Sequence, residues 1–321
     1  MKDGSGRRID YMRISITDRC NLRCKYCMPR PLPKLPHSDI LSYEEILRVC
    51  RAATTLGINK FKVTGGEPFV RKGAADFIAR LKSQPGVECV TVTTNGVMLP
   101  DVLPELIKAG VDGVNISIDA ADAEKYKAIT GFDCAAKVLD AVEQCAESGI
   151  NTKVNCVMLE DNDSEFVALA ELARDLPVDV RFIELMPLGF GRALNGPYGD
   201  EVLGRLRAVY PDLSYVNERR GNGPAVYYAS GKLSGRIGFI SANTHKFCAG
   251  CNRIRLTSTG MLKPCLCYDA AADLRALLRT GADETKLAQA IAQAVYAKPP
   301  AHCFSDRERM TEHKMMNEIG G

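Results

Sequence analysis

Short apolar, β-branched runs alternate with longer segments whose apolar residues recur every three or four positions, and the alternation repeats through the first half of the chain. This rhythm marks βα units around a parallel sheet. It predicts six strands at Met12–Ile16, Lys60–Thr64, Cys89–Thr93, Gly113–Ile118, Thr152–Met158 and Val180–Leu185, with a helix after each of the first five. The segment SYEEILRVCRAATTLG shows how the helices are punctuated. Ser42 can cap the start with Glu45 reaching back, and Gly57 can close the end. Gly110 and Gly149 read as similar stops.

The strand ends decide between an open doubly wound sheet and a barrel. TGGEP follows Val63, TTNG follows Val92, SID ends the fourth strand and ELMPLG follows Ile183. Polar and glycine-rich groups therefore gather at the C-terminal strand ends, where barrel enzymes build their sites. Six units in place of eight predict an α/β fold, an incomplete (βα)6 TIM-type barrel over residues 1–188 with one open side. From Gly189 the pattern changes. Residues 189–321 read as a C-terminal antiparallel and helical extension, with a polar linker at Asn217–Pro224, short strands at Ala225–Tyr228 and Arg236–Ile240, and an amphipathic helix over 284–296.

Composition narrows the function. Hydrophobic residues at 46% and charged residues at 25% are ordinary for a folded globular chain. There is no run of eighteen apolar residues and no apolar region behind Arg7 and Arg8, so neither membrane insertion nor export is expected, and a cytoplasmic location is. A net charge of +3 from 42 basic and 39 acidic residues is too balanced for nucleic acid as the main partner, though a local anion site remains open.

Thirteen cysteines, an odd number, argue against a disulfide framework in such a chain. Three lie in DRCNLRCKYCMP (Cys20, Cys24, Cys27) and four in FCAGCNRIRLTSTGMLKPCLC (Cys248, Cys251, Cys265, Cys267). Cys50, Cys89, Cys134, Cys145, Cys156 and Cys303 read as small buried hydrophobes. Taken alone, CxxxCxxC fits a zinc site completed from elsewhere, a fragment of a ferredoxin array, or a four-iron site with one iron left for substrate. The second group is an acceptable structural zinc site. Against that, Arg253 and Arg255 alternate on a short extended stretch, so both point the same way and could bind phosphate or a purine face.

CxxxCxxC with Tyr26 before its last cysteine, then GGEP, resembles the radical S-adenosylmethionine superfamily. Together with CNRIRL, the chain resembles the GTP 3′,8-cyclase family of molybdenum cofactor biosynthesis over nearly its whole length. The resemblance implies a four-iron cluster on Cys20, Cys24 and Cys27, with S-adenosylmethionine on the open iron cleaved to a 5′-deoxyadenosyl radical. It places Gly66 and Glu67 near the methionyl amine, Ser117 and Met186 near the sulfonium and adenine, and Tyr26 beside the cluster.

It further implies a second four-iron cluster on Cys248, Cys251 and Cys265, facing the substrate purine. Cys267 departs from the family pattern and is read as not a ligand. GTP is the implied substrate, with Arg13, Lys62, Thr93, Lys153, Arg253 and Arg255 as contacts, Arg181 joining them, and Gly320 and Gly321 of a double-glycine tail entering the site. Hydrogen removal at ribose C3′, closure onto guanine C8 and reduction give the cyclised product. The implied partners are an electron donor, a downstream pyranopterin-forming enzyme and a second copy of the chain as a homodimer.

Overall fold

The structure is a computed structural model and describes residues 1–29 and 35–320. Its six predicted strands are present within about a residue of their expected ends: β1 (Tyr11–Ser15), β2 (Lys60–Thr64), β3 (Cys89–Thr94), β4 (Gly113–Ser117), β5 (Thr152–Met158) and β6 (Asp179–Glu184). They pair in sequence order, all parallel. The helices between them are α1 (Tyr43–Thr55), α2 (Ala74–Lys82), α3 (Leu99–Lys108), α4 (Ala123–Thr130), α5 (Ala135–Glu147) and α6 (Phe166–Asp175). Ser42 and Glu45 form the expected reciprocal cap on α1, and Gly57, Gly110 and Gly149 adopt φ of 76°, 69° and 75° after their helices.

Each barrel strand alternates strictly. Met12, Ile14, Phe61, Val63, Val90, Val92, Val114, Ile116, Val154, Val180 and Phe182 turn outward beneath the helices and are at most 1% exposed. Removing each such side chain from water contributes roughly 1.5–3 kcal/mol. The opposite parity turns inward and is largely polar: Arg13, Lys62, Thr91, Thr93, Asn115, Ser117, Lys153, Asn155, Asp179 and Arg181. This barrel therefore surrounds a cavity into which polar and charged side chains point, in place of the usual packed apolar layers.

The segment after β6 begins with a helix that the glycine-rich sequence did not predict, α7 (Gly199–Val209), packed against α6 and β6. The extension also contributes to the sheet itself. β9 (Ile237–Ile240) pairs parallel with β6, and β10 (Arg253–Leu256) pairs parallel with β1. Eight successive strands thus run parallel, in the order β10-β1-β2-β3-β4-β5-β6-β9. The antiparallel part lies outside them, in β7 (Ser214–Val216) and β8 (Val226–Ala229) at one edge and β11 (Met261–Lys263) and β12 (Ala272–Asp273) at the other. α8 (Leu274–Arg279) and α9 (Glu284–Tyr296) follow, and α9 lies against α1. A last turn, α10 (Met316–Ile319), returns to the barrel. Among the described residues no helix is long and apolar enough to cross a membrane.

Candidate functional site

The barrel encloses a cavity of about 250 Å³. Cys20, Cys24 and Cys27 line its C-terminal mouth, on the loop after β1. That loop is fixed from several sides. Arg23 N–H and Lys25 N–H donate to Thr130 O and Ile129 O at 2.8 and 3.0 Å, Asn95 Nδ2 donates to Asn21 Oδ1 at 2.7 Å, and Asn317 Nδ2 donates to Asp18 O at 3.0 Å. Among the described residues the cavity lining contains no other cysteine and no histidine. Burial pushes the Cys27 thiol up to about 12, and burial together with Asp119 pushes Cys24 well up. Three half-buried neighbouring thiols are poor free anions, and a bound iron centre reverses that logic. The donor set thus fits a cluster with one iron free of protein.

Gly66 lies where two loops meet. Its N–H donates to Thr17 O at 2.7 Å, and a Cβ placed on it would stand 2.3 Å from Arg19 O. Only glycine lets the β2 loop approach the cysteine loop this closely. Gly66→Ala is therefore expected to push the cysteine loop outward, at a cost of roughly 1–3 kcal/mol. Anaerobic reconstitution should return less iron per chain than wild type, with a lower Tm. Wild-type iron and Tm would contradict the packing argument.

Glu67 is placed differently from Gly66. It is fully buried and does not line the cavity. Its carboxylate accepts from Thr94 Oγ1 at 2.8 Å, Asn95 N–H at 2.7 Å and Phe69 N–H at 3.2 Å, so it braces the loops after β2 and β3. Burial pushes it up to about 7 despite those donors. Tyr26, Ser117 and Met186 do line the mouth, with Tyr26 Oη donating to Asp119 Oδ2 at 2.8 Å. Asp119 itself is pushed up to about 6 by burial, and its second oxygen accepts from Val157 N–H.

Deeper in the barrel the cavity becomes cationic. Arg13 sits in register with Arg255 on one side and Lys62 on the other, across β10, β1 and β2. Arg253, Thr93 and Arg181 line the same space. Burial, reinforced by Arg181, Arg13, Lys153 and Arg253, drives Lys62 well below its ordinary value, and burial with Arg13 and Arg253 does the same to Arg255. Among the described residues the single carboxylate lining the cavity, Asp119, is held at the mouth. Like charges concentrated in this way call for an anionic ligand.

Lys153 stands apart from that group. It faces an adjoining cavity of about 240 Å³ at the N-terminal floor, shared with Lys62 and Arg181, and its ammonium is paired with Asp179 at 2.7 Å. Gly320 does reach the interior, where its carbonyl accepts from Arg255 Nη1 at 2.5 Å and a Cβ on it would stand 3.0 Å from Ser15 Cβ. Gly321 lies outside the described residues.

The second cysteine group flanks the cationic wall. Cys251 and Arg253 together line a cavity of about 310 Å³ beside the first. Burial alone would raise the Cys251 thiol, but Arg253 and Lys298 outweigh it and bring the group down to about 7. Cys248 Sγ accepts from His302 N–H at 3.4 Å. Among the described residues no three Cys, His, Asp or Glu side chains converge as ligands of one ion would. Thiolates around a cubane stand further apart, because each binds a different iron. Cys267 is buried against Cys303, Sγ to Sγ 3.0 Å.

Sequence reasoning passed over Tyr11, Asn95, Asp119 and Asn155, all of which line the cavity. Tyr11 and Asn155 share the inward parity of Arg13 and Arg181, and Asn95 and Asp119 occupy strand ends. Both signals were present in the chain.

The family models match in two blocks, the radical SAM superfamily over residues 14–173 and Molybdenum Cofactor Synthesis C over residues 178–304. Relatives named GTP 3′,8-cyclase match end to end. The protein of Clostridium perfringens is 42% identical over 323 residues, covering all of both chains. That of Geobacter sulfurreducens is 42% identical, covering 99% of both, and that of Desulforamulus reducens is 40% identical, again covering all of both. Among solved structures, Streptococcus suis SuiB bound to S-adenosylmethionine superposes with a TM-score of 0.64 at 14% identity, over 97% of this chain and 77% of that one.

Proposed function

The chain belongs to the GTP 3′,8-cyclase family of the radical S-adenosylmethionine superfamily, and from that premise we infer how its own residues perform the conversion. The reaction turns GTP into (8S)-3′,8-cyclo-7,8-dihydroguanosine 5′-triphosphate, the first step of molybdenum cofactor biosynthesis. Cys20, Cys24 and Cys27 would hold a four-iron cluster that, with S-adenosylmethionine, would supply the one-electron radical chemistry for hydrogen removal at ribose C3′.

The observation that carries the assignment of the substrate site is the inward row Arg255–Arg13–Lys62. A triphosphate is the anion such a row would neutralise, and guanidinium groups can hold it bidentately. Arg253, Arg181 and Thr93 complete that surface, with Lys153 reaching the phosphates from the floor in exchange for Asp179. Ser117, Met186, Tyr26 and Gly66 form the wall toward S-adenosylmethionine, and Glu67 keeps that wall in shape. Gly320 closes the space beside Arg255. The chain's contribution to rate is proximity: C3′ and C8 of one folded nucleotide are held together, and C3′ is held next to the mouth.

Cys248, Cys251 and Cys265 hold a second four-iron cluster on the purine side, so the functional division runs between a barrel half, 1–188, and an extension, 189–321, that completes it. An external electron donor, delivery of product to a pyranopterin-forming enzyme, and pairing of two copies belong to the same reading. Replacing Cys248, Cys251 and Cys265 together with alanine tests it. Wild-type protein reconstituted anaerobically should hold about eight irons per chain and the variant about four, with cleavage of S-adenosylmethionine retained and cyclisation lost. Zinc in the wild type with about four irons would return the extension to a structural zinc site.

A further inference from the structure

One buried cation on the extension has no countercharge. Lys298, just beyond α9, is 5% exposed, and no carboxylate pairs with it among the described residues. Its ammonium donates to Arg253 O at 2.9 Å and to Pro264 O. Those carbonyls lie two residues after Cys251 and one before Cys265. Arg7, paired with Asp3 at 2.6 Å, approaches from the other side. Its Nη1 donates to Cys248 O at 3.0 Å and Pro300 O at 2.8 Å, and its Nη2 to Pro299 O at 2.6 Å. Two cations thus tie together the two segments that present Cys248, Cys251 and Cys265.

Arg7 has its carboxylate, and a nearby lysine shows the ordinary solution for a buried ammonium: Lys263 is equally enclosed and meets Glu312. Lys298 lacks that partner. Desolvating an ammonium costs several kcal/mol, and two neutral carbonyls offset only part of it. The groups near Lys298 able to carry negative charge are the thiols of Cys251 and Cys265. A thiolate-ligated iron–sulfur cluster is anionic, and more so when reduced.

We propose that Lys298 is a positioning residue whose buried charge balances the cluster held by Cys248, Cys251 and Cys265 and raises that cluster's reduction potential. The inference rests on the reading that a second cluster is present there. A cation a short distance away in a medium of low polarity stabilises the reduced state more than the oxidised one. It does so without coordinating iron. Because the same ammonium ties the segments on either side of the cluster, charge and placement act together, and the test must separate them.

The separation comes from Lys298→Gln, which keeps donors for the two carbonyls and loses the charge, and Lys298→Arg, which keeps the charge. Each is reconstituted anaerobically as the full chain. Iron is counted, and the midpoint potential of the second cluster is followed by paramagnetic resonance, its signal identified by its absence from the Cys248, Cys251, Cys265 triple variant. The expected result is a more negative potential in the glutamine variant and a near wild-type potential in the arginine variant. If the glutamine variant fails to retain the cluster while the arginine variant keeps it, the charge requirement is met by that loss. An unchanged potential in the glutamine variant, or equal shifts or equal losses in both, overturns the proposal. A wild-type protein whose signal and iron are unaffected by the triple variant instead overturns the second cluster, and so separates the two failures.

Discussion

Cys24→Ala is expected to abolish S-adenosylmethionine cleavage and product formation together, and to lower the iron content from about eight to about four per chain. Cys24 lies on its loop beside Cys20, Cys27 and Asp119. No spare ligand stands ready: among the described residues the lining holds no fourth cysteine and no histidine, and both oxygens of Asp119 are engaged, by Tyr26 Oη at 2.8 Å and by Val157 N–H at 2.8 Å. The loop itself should survive, because Cys27 N–H and Met28 N–H donate to the backbone carbonyl of Cys24, which alanine retains. The loss is therefore one of chemistry and not of folding, and an unchanged Tm in the metal-free protein should accompany it. Full iron content and turnover in this variant would remove Cys24 from the ligand set.

Arg255→Met is expected to weaken GTP binding by about 2–5 kcal/mol, roughly one and a half to three and a half orders of magnitude in Kd, because it truncates one partner of a buried charge-assisted contact. S-adenosylmethionine binding should be nearly unaffected, since Arg255 lies on β10 within the cationic wall and the methionyl wall is built from the other side. Arg255 also donates to Gly320 O at 2.5 Å, so part of its effect runs through the tail. Deleting Gly320 and Gly321 should therefore cost much less in the Arg255→Met background than in the wild type, as coupled neighbours do. Additive losses would mean that arginine and tail act independently.

The local features of this fold were legible in the chain. Six strands, the Ser42–Glu45 cap and the glycine stops are fixed by neighbours a few residues away, and the structure has all of them. The pairing of the edge strands was not. RIRL reads as extended, but its pairing of Arg253 with Tyr11 joins residues at opposite ends of the chain, and no periodicity encodes that. The polar lining was written more openly than expected, since KFKVT and DVRFIE already alternate charge with apolar bulk. The roles of single charged residues were hidden for a different reason. Lys153 and Glu67 are decided by Asp179, Thr94 and Asn95, partners that only the folded sheet brings together.

The central claim is that the cationic interior holds GTP so that its C3′–H faces the C-terminal mouth. GTP carrying deuterium at C3′, supplied with S-adenosylmethionine and reductant to the anaerobically reconstituted protein, tests it most directly. Deuterium should accumulate in 5′-deoxyadenosine as cyclic product forms. Deuterium-free 5′-deoxyadenosine during turnover would contradict the placement.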